Sequence, residues 1–169
     1  RALARGSWGF VSFNRLDGLK EKVTLAVKEA GLASREPFKL FPTKPVVDTV
    51  ESQLKKDATT IPLATKKELL DNYNGIMLGS PKIQSTRINY HDVKRKTTLA
   101  NSEGSYIEQI RTDLSARLTA IARQGSEIQQ AGLSLGSNGE FSAVEGLHEK
   151  ASGIARRAAA LLSAPQVKG

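Results

Sequence analysis

Cysteine is absent from the 169 residues. That excludes disulfides and thiolate metal sites, and on that count leaves the redox compartment open. Histidine occurs only twice, at His91 and His148, so a metal site of several convergent imidazoles has little to draw on. No apolar run approaches the roughly 18 residues of a membrane span, and the longest is Ala158–Leu162. Nothing matches the charged, apolar and small-residue regions of a signal peptide. Internal repeats and low-complexity tracts are also missing, and the opening R-A-L-A-R-G reads as a fragment or processed piece of a longer chain.

What is present is ordinary for a soluble globular domain, at 39% hydrophobic and 25% charged residues. The length suits one domain with a sizeable core, spanning 1–169. Net charge is +8, and basic domains often bind nucleic acid. Here the cations are scattered from Arg1 to Lys168, and the one tight triplet, Lys94-Arg95-Lys96, has no aromatic residues interleaved. The pattern reads as solvated basic surface and argues against a nucleic-acid partner.

The stretch Arg95–Leu135 organises the chain. Gly-centred breaks at Asn101–Gly104 and Gln124-Gly125 divide it into three extended segments. In the middle one Ile110, Thr112, Leu114, Ala116, Leu118, Ala120 and Ala122 alternate with Gln109, Arg111, Asp113, Ser115, Arg117 and Thr119. A period of two marks a strand with one dry face. Ile107, Ile110, Leu114, Leu118 and Ile121 also sit at helical spacings. Glycine at both ends and threonine within the run favour the strand, which is long enough to call for a bulge or bend partway along.

Before it, Gly6-Ser7 reads as a hairpin turn, with Trp8 and Phe10 as core residues and Gly9 placed for close backbone approach. Asn14 suits a helix N-cap, followed by a stripe of Leu16, Leu19, Val23, Ala26, Val27 and Ala30 and a stop at Gly31. Residues 34–62, punctuated by four prolines, read as a surface connection, with a short helix possible over Val46–Lys56. Thr65–Glu68 looks like a capping box opening a helix with Leu69, Leu70, Tyr73, Ile76 and Met77 inward. Ile83–His91 alternates like a strand, with Thr86, Ile88 and Tyr90 on one face. A second capping box, Ser142–Glu145, precedes a helix that turns Val144, Leu147, Ala151, Ile154, Ala155, Ala158 and Leu162 to one side, and an extended tail follows. Strands gathered in the middle with helices before and after predict an α+β fold: two layers, a largely antiparallel sheet with helices packed on one face.

The candidate chemistry is thin. His148-Glu149 begins like the His-Glu-x-x-His helix of zinc peptidases, but Lys150, Ala151, Ser152 and Gly153 follow and no second histidine comes. His91, on the polar face of its strand beside Arg87 and Asn89 and followed by Asp92, lacks the further ligands a metal needs. Arg87, Arg111, Arg117 and Asp113 are placed to project from one sheet surface and read as a mixed-charge solvated face. Glu103, Glu108 and Asp113 are acid/base candidates by spacing alone. Gly132, Gly136 and Gly139 lack the Lys-Ser or Lys-Thr of a phosphate loop. No catalytic, cofactor-binding or metal-ligating residue is assigned.

Three motifs in order, G-S-W-G-F-V-S-F-N-R-L-D at 6–17, K-I-Q-S-T-R-I-N-Y-H-D at 82–92 and N-S-E-G-S-Y-I-E-Q-I-R-T at 101–112, resemble the N-terminal domain of the TldD/PmbA family. That family, named for modulators of DNA gyrase, includes zinc metallopeptidases. Trp8-Gly9-Phe10 and the N-S-E-G-x-x-I-E-Q run are more similar to the TldD branch, whose zinc helix has three residues between its Glu and second His. The resemblance implies a non-catalytic domain of a cytoplasmic, dimeric zinc metallopeptidase that cleaves extended or unfolded peptides. It places the zinc in an absent C-terminal half and implies a PmbA-type or identical subunit as partner, with no membrane. A domain of the PmbA-type partner itself, or a basic nucleic-acid-associated module, are the alternatives.

Overall fold

The computed structural model describes residues 1–32, 36 and 40–165. Part of the 34–62 connection, with Pro37, and the end of the tail, 166–169, lie outside the described residues. The chain divides into two compact units, Arg1–Lys44 and Pro45–Gly169, and the division falls inside that connection.

In the first unit, β1 (Ala2–Ala4) and β2 (Ser7–Gly9) form an antiparallel hairpin. Its turn is Arg5-Gly6, one position earlier than Gly6-Ser7, and both residues have positive φ, 51° and 72°. Two successive positive φ values match the twist of the flanking strands. The helix α1 (Leu19–Leu32) packs on this hairpin at Gly9. A Cβ there would lie 1.7 Å from the Ala26 carbonyl oxygen and 2.8 Å from the Ala30 nitrogen. Only glycine allows that approach, as its position between two aromatics predicts.

Two expectations fail here. Trp8 and Phe10 are 52% and 60% exposed, because Gly9 faces the helix and its alternate neighbours on an extended chain must face away. Asn14 does not cap the helix, which starts five residues later behind Gly18 (φ 60°). Lys22 folds its ammonium back onto the Arg15 and Asp17 carbonyls. Of the expected stripe only Ala26 and Ala30 are buried, since three-residue strands cover little of a 14-residue helix.

The second unit is built on β5 (Tyr106–Gln124), with β4 (Ile83–Ala100) antiparallel along one edge over its whole length. On the other edge, β6 (Glu127–Ser137) pairs antiparallel with Leu114–Gln124. Beyond it β3 (Val47–Glu51) pairs parallel with Tyr106–Ile110. Val47–Glu51 is thus a strand where Val46–Lys56 suggested a helix; an edge strand exposed at every residue carries no alternation to betray it. The middle strand is as long as expected but unbroken. The register shift lies in β4, where Gln84 is extra between Ile83 and Ser85, opposite Ala122 and Ile121.

The helices α2 (Leu63–Leu78) and α3 (His148–Leu161) pack on one face of this sheet. Beneath them are Leu114, Ala116, Leu118, Ala120 and Ala122 from β5, every second residue, as the strand reading requires. Ala151, Ala155 and Ala158 of α3 are fully buried in the same core cluster as these strand residues. Tyr73 ties the two helices together: its hydroxyl donates to the Val144 carbonyl (2.8 Å) and accepts from the Leu147 N–H (3.2 Å).

Neither capping box forms. The α2 helix begins two residues before Thr65, after Pro62, without a side-chain cap. Ser142–Glu145 instead lies in and just beyond a single 3-10 turn, Phe141–Val144, and α3 starts after Gly146 (φ 66°). The architecture is nevertheless the expected α+β one, with a mixed four-stranded sheet that is antiparallel except for β3.

Candidate functional site

Three features of the second unit concentrate polar groups. The first is a cleft between α2 and β4, a cavity of about 400 Å³ lined by Leu63, Lys66, Leu70 and Asn74 from the helix and Ile88 and Tyr90 from the strand, among others. Lys66 is 9% exposed and its ammonium binds Asp92 Oδ2 at 2.6 Å. The same ammonium lies 5.6 Å from the centre of the Tyr90 ring. Burial first, and the Asp92 carboxylate second, push the Tyr90 phenol well above its ordinary pKa. Its hydroxyl has no well-formed hydrogen bond. The rim is neutral, because Lys67 pairs with Asp71. Such a cleft can bind an apolar group, but it contains no activated nucleophile or base.

The second is a polar notch where β5 changes partner from β3 to β6. Lys94 reaches across it, 3.1 Å from Glu51 Oε1 and 3.8 Å from Asp57 Oδ2. Burial alone would raise the Asp57 carboxyl, but hydrogen bonds from the Thr59 N–H and hydroxyl and the Lys94 charge outweigh it, so its pKa is lowered. Thr112, 2% exposed, sits behind the notch against Gly139, where a Cβ would come within 2.4 Å of the Thr112 Cβ. Gly139 therefore serves close packing.

The third is the sheet face turned away from α2 and α3. Odd-numbered residues of β5 point there, with Asn89 opposite Arg117, His91 opposite Ser115 and Arg95 opposite Arg111. Arg87, Arg111, Arg117 and Asp113 do share this surface, and Arg111 Nε lies 3.1 Å from Asp113 Oδ1.

The remaining candidates are dispersed. His148 opens α3 in the helical layer, its ring 5.2 Å from Tyr73 in an edge-on contact. His91 is on the opposite side of the sheet, so the two imidazoles do not converge. Glu103 lies in the β4–β5 turn. Glu108 pairs with Lys96 at 2.7 Å on the helix-side face, and that contact lowers its pKa. Gly132 and Gly136 lie within β6. Lys66 and Asp92 escaped the sequence reading of the core, although Lys66, seven residues before Tyr73, falls on the inward stripe of α2.

A family model described as the PmbA/TldA metallopeptidase central domain matches residues 56–164. The chain belongs to this family. The matched stretch lies within the second unit. The motifs pointed to the family's N-terminal domain, so the two readings share the family and not the place within it. Metalloprotease slr0863 of Synechocystis is 37% identical over 171 residues, covering 100% of this chain and 37% of the relative. A metalloprotease of Methanothermobacter thermautotrophicus is 32% identical over 146 residues, covering 86% of the chain and 32% of the relative. The chain thus spans about a third of the length of these curated relatives.

A metallopeptidase implies a metal ion, and the described residues do not fit one. Among them no group of three or more His, Cys, Asp or Glu side chains is gathered to hold it, and the two histidines lie on opposite sides of the sheet. No described helix is long and apolar enough to cross a membrane.

Proposed function

We propose that this chain is a non-catalytic part of a TldD-type zinc metallopeptidase acting on extended or unfolded peptides, with the zinc held by residues outside this sequence. The observation that carries the reading is the family match joined to the placement of His91 and His148, which leaves the chain without an imidazole pair. Trp8-Gly9-Phe10 and the N-S-E-G-x-x-I-E-Q run favour the TldD branch. A rigid sheet with one face open is a suitable wall for a chamber that admits extended chains. A PmbA-type or identical subunit as partner, and a cytoplasmic location, belong to the same reading.

The test is zinc content and cleavage of an unfolded peptide by the full-length protein, before and after substituting His91→Ala and His148→Ala together. Zinc stoichiometry and rate should stay within about twofold of the parent, since neither side chain is a ligand. Loss of zinc in the double variant would overturn the reading. Full-length protein that binds no zinc and cleaves only when mixed with a second subunit would assign it to the partner branch instead.

A further inference from the structure

The cations that are scattered in the sequence are gathered by the sheet. Strand pairing sets Arg87 of β4 opposite Thr119, and Asn89 opposite Arg117, so Arg87 and Arg117 stand on neighbouring strands of the open face. Arg123 follows on β5, opposite Ile128 of β6. All three are exposed, and among the described residues none of them is in an ion pair. Arg111, further along the same face, is neutralised by Asp113. Between Asp113 and the β5–β6 turn this face carries no carboxylate, because Glu127, opposite Gln124, points to the helical side.

The shape of the charge argues for its occupant. Arg117 to Arg123 spans about 20 Å at roughly 3.4 Å per residue, with Arg87 between them on the next strand, so the cations form a strip rather than a disc. An extended chain repeats its same-side groups every ~6.8 Å and would place about three along that strip. Thr119 and Ile121 lie between Arg117 and Arg123 on β5, with Ser134, Gly132 and Gln130 beside them on β6. Guanidinium forks bind carboxylates in a bidentate manner. A second copy meeting face to face would set arginine against arginine, so self-association through this face is repelled. No Phe, Tyr or Trp side chain stands here, since Tyr90 and Tyr106, opposite Ala116 and Ala100, lie on the helical side, and the single ring on this face is the His91 imidazole, opposite Ser115 and one pair beyond Arg117. A single-stranded nucleic acid would find charge but no stacking platform.

We propose that the uncovered face of β4 and β5, through Arg87, Arg117 and Arg123, holds an extended acidic peptide. The proposal rests on the function above only in taking that peptide to be substrate; binding itself is a separate measurement. In the full-length protein, a fluorescein-labelled polyglutamate peptide should bind at low salt and be released near 0.5 M salt. Polyglutamine of equal length should not bind. Replacing Arg87, Arg117 and Arg123 together by Gln should weaken polyglutamate binding by about tenfold or more, three exposed charge pairs each worth a few-fold. The same variant should raise KM for acidic peptides by more than it raises KM for neutral peptides of equal length. Unaltered polyglutamate binding in the triple variant would overturn the proposal, as would oligo-dT binding tighter than polyglutamate. If no peptide at all is cleaved while the polyglutamate result holds, the peptidase reading fails and the acidic-peptide site stands.

Discussion

Replacing Leu118 by alanine tests the placement of β5 most directly. Leu118 is 0% exposed and lies between Ile88 of β4 and Leu133 of β6, facing the helical layer. Its neighbours along the same face, Ala116 and Ala120, are too small to spread into the space it vacates. Removing three carbons forfeits about 2.4 kcal/mol of transfer free energy at ~0.8 kcal/mol each. A cavity that cannot collapse adds up to about 2 kcal/mol more, giving a loss of roughly 2.5–4.5 kcal/mol. Arg117→Ala, one residue away on the open face, should cost under about 1 kcal/mol, because nothing covers its guanidinium. Urea melts of both variants beside the parent, compared at constant slope, would measure the difference. Equal destabilisation by the two substitutions would refute the alternation on which the fold rests.

Two further outcomes follow from particular contacts. Gly9→Ala should loosen α1 from its hairpin, seen as faster amide hydrogen exchange over Leu19–Leu32 with β4–β6 unchanged, since a Cβ collides with the Ala26 carbonyl; undiminished protection of α1 would refute that close approach. The pKa of Asp57 is lowered from 3.8, so its contribution to stability is fully present above about pH 4 and is lost as pH falls through the depressed folded value. Asp57→Asn should therefore flatten the acid limb of the stability curve below about pH 4, and an unchanged limb in pH-dependent urea melts would show that the carboxyl is not held as described.

The alternation of Ile110–Ala122 determined the central strand, its dry face and the two turns that bound it, because a half-buried strand writes its geometry into every second residue. The inward positions of α2 and α3 were legible for the same reason at helical spacing. Helix starts were not: Thr65–Glu68 and Ser142–Glu145 have capping-box composition, yet Pro62 and Gly146 decide where the chain turns. The strand β3 was also hidden, since an exposed edge is recruited by the unpaired backbone of Tyr106–Ile110 rather than by its own side chains. Trp8 and Phe10 were misplaced because composition marks them as core, while the contact at Gly9 sets which face of the hairpin is inside. Arg87, Arg117 and Arg123 are 30 and 6 residues apart in sequence, and their separation along the chain reads as dispersed charge. Only antiparallel pairing, which brings position 87 opposite 119, makes a single strip of them.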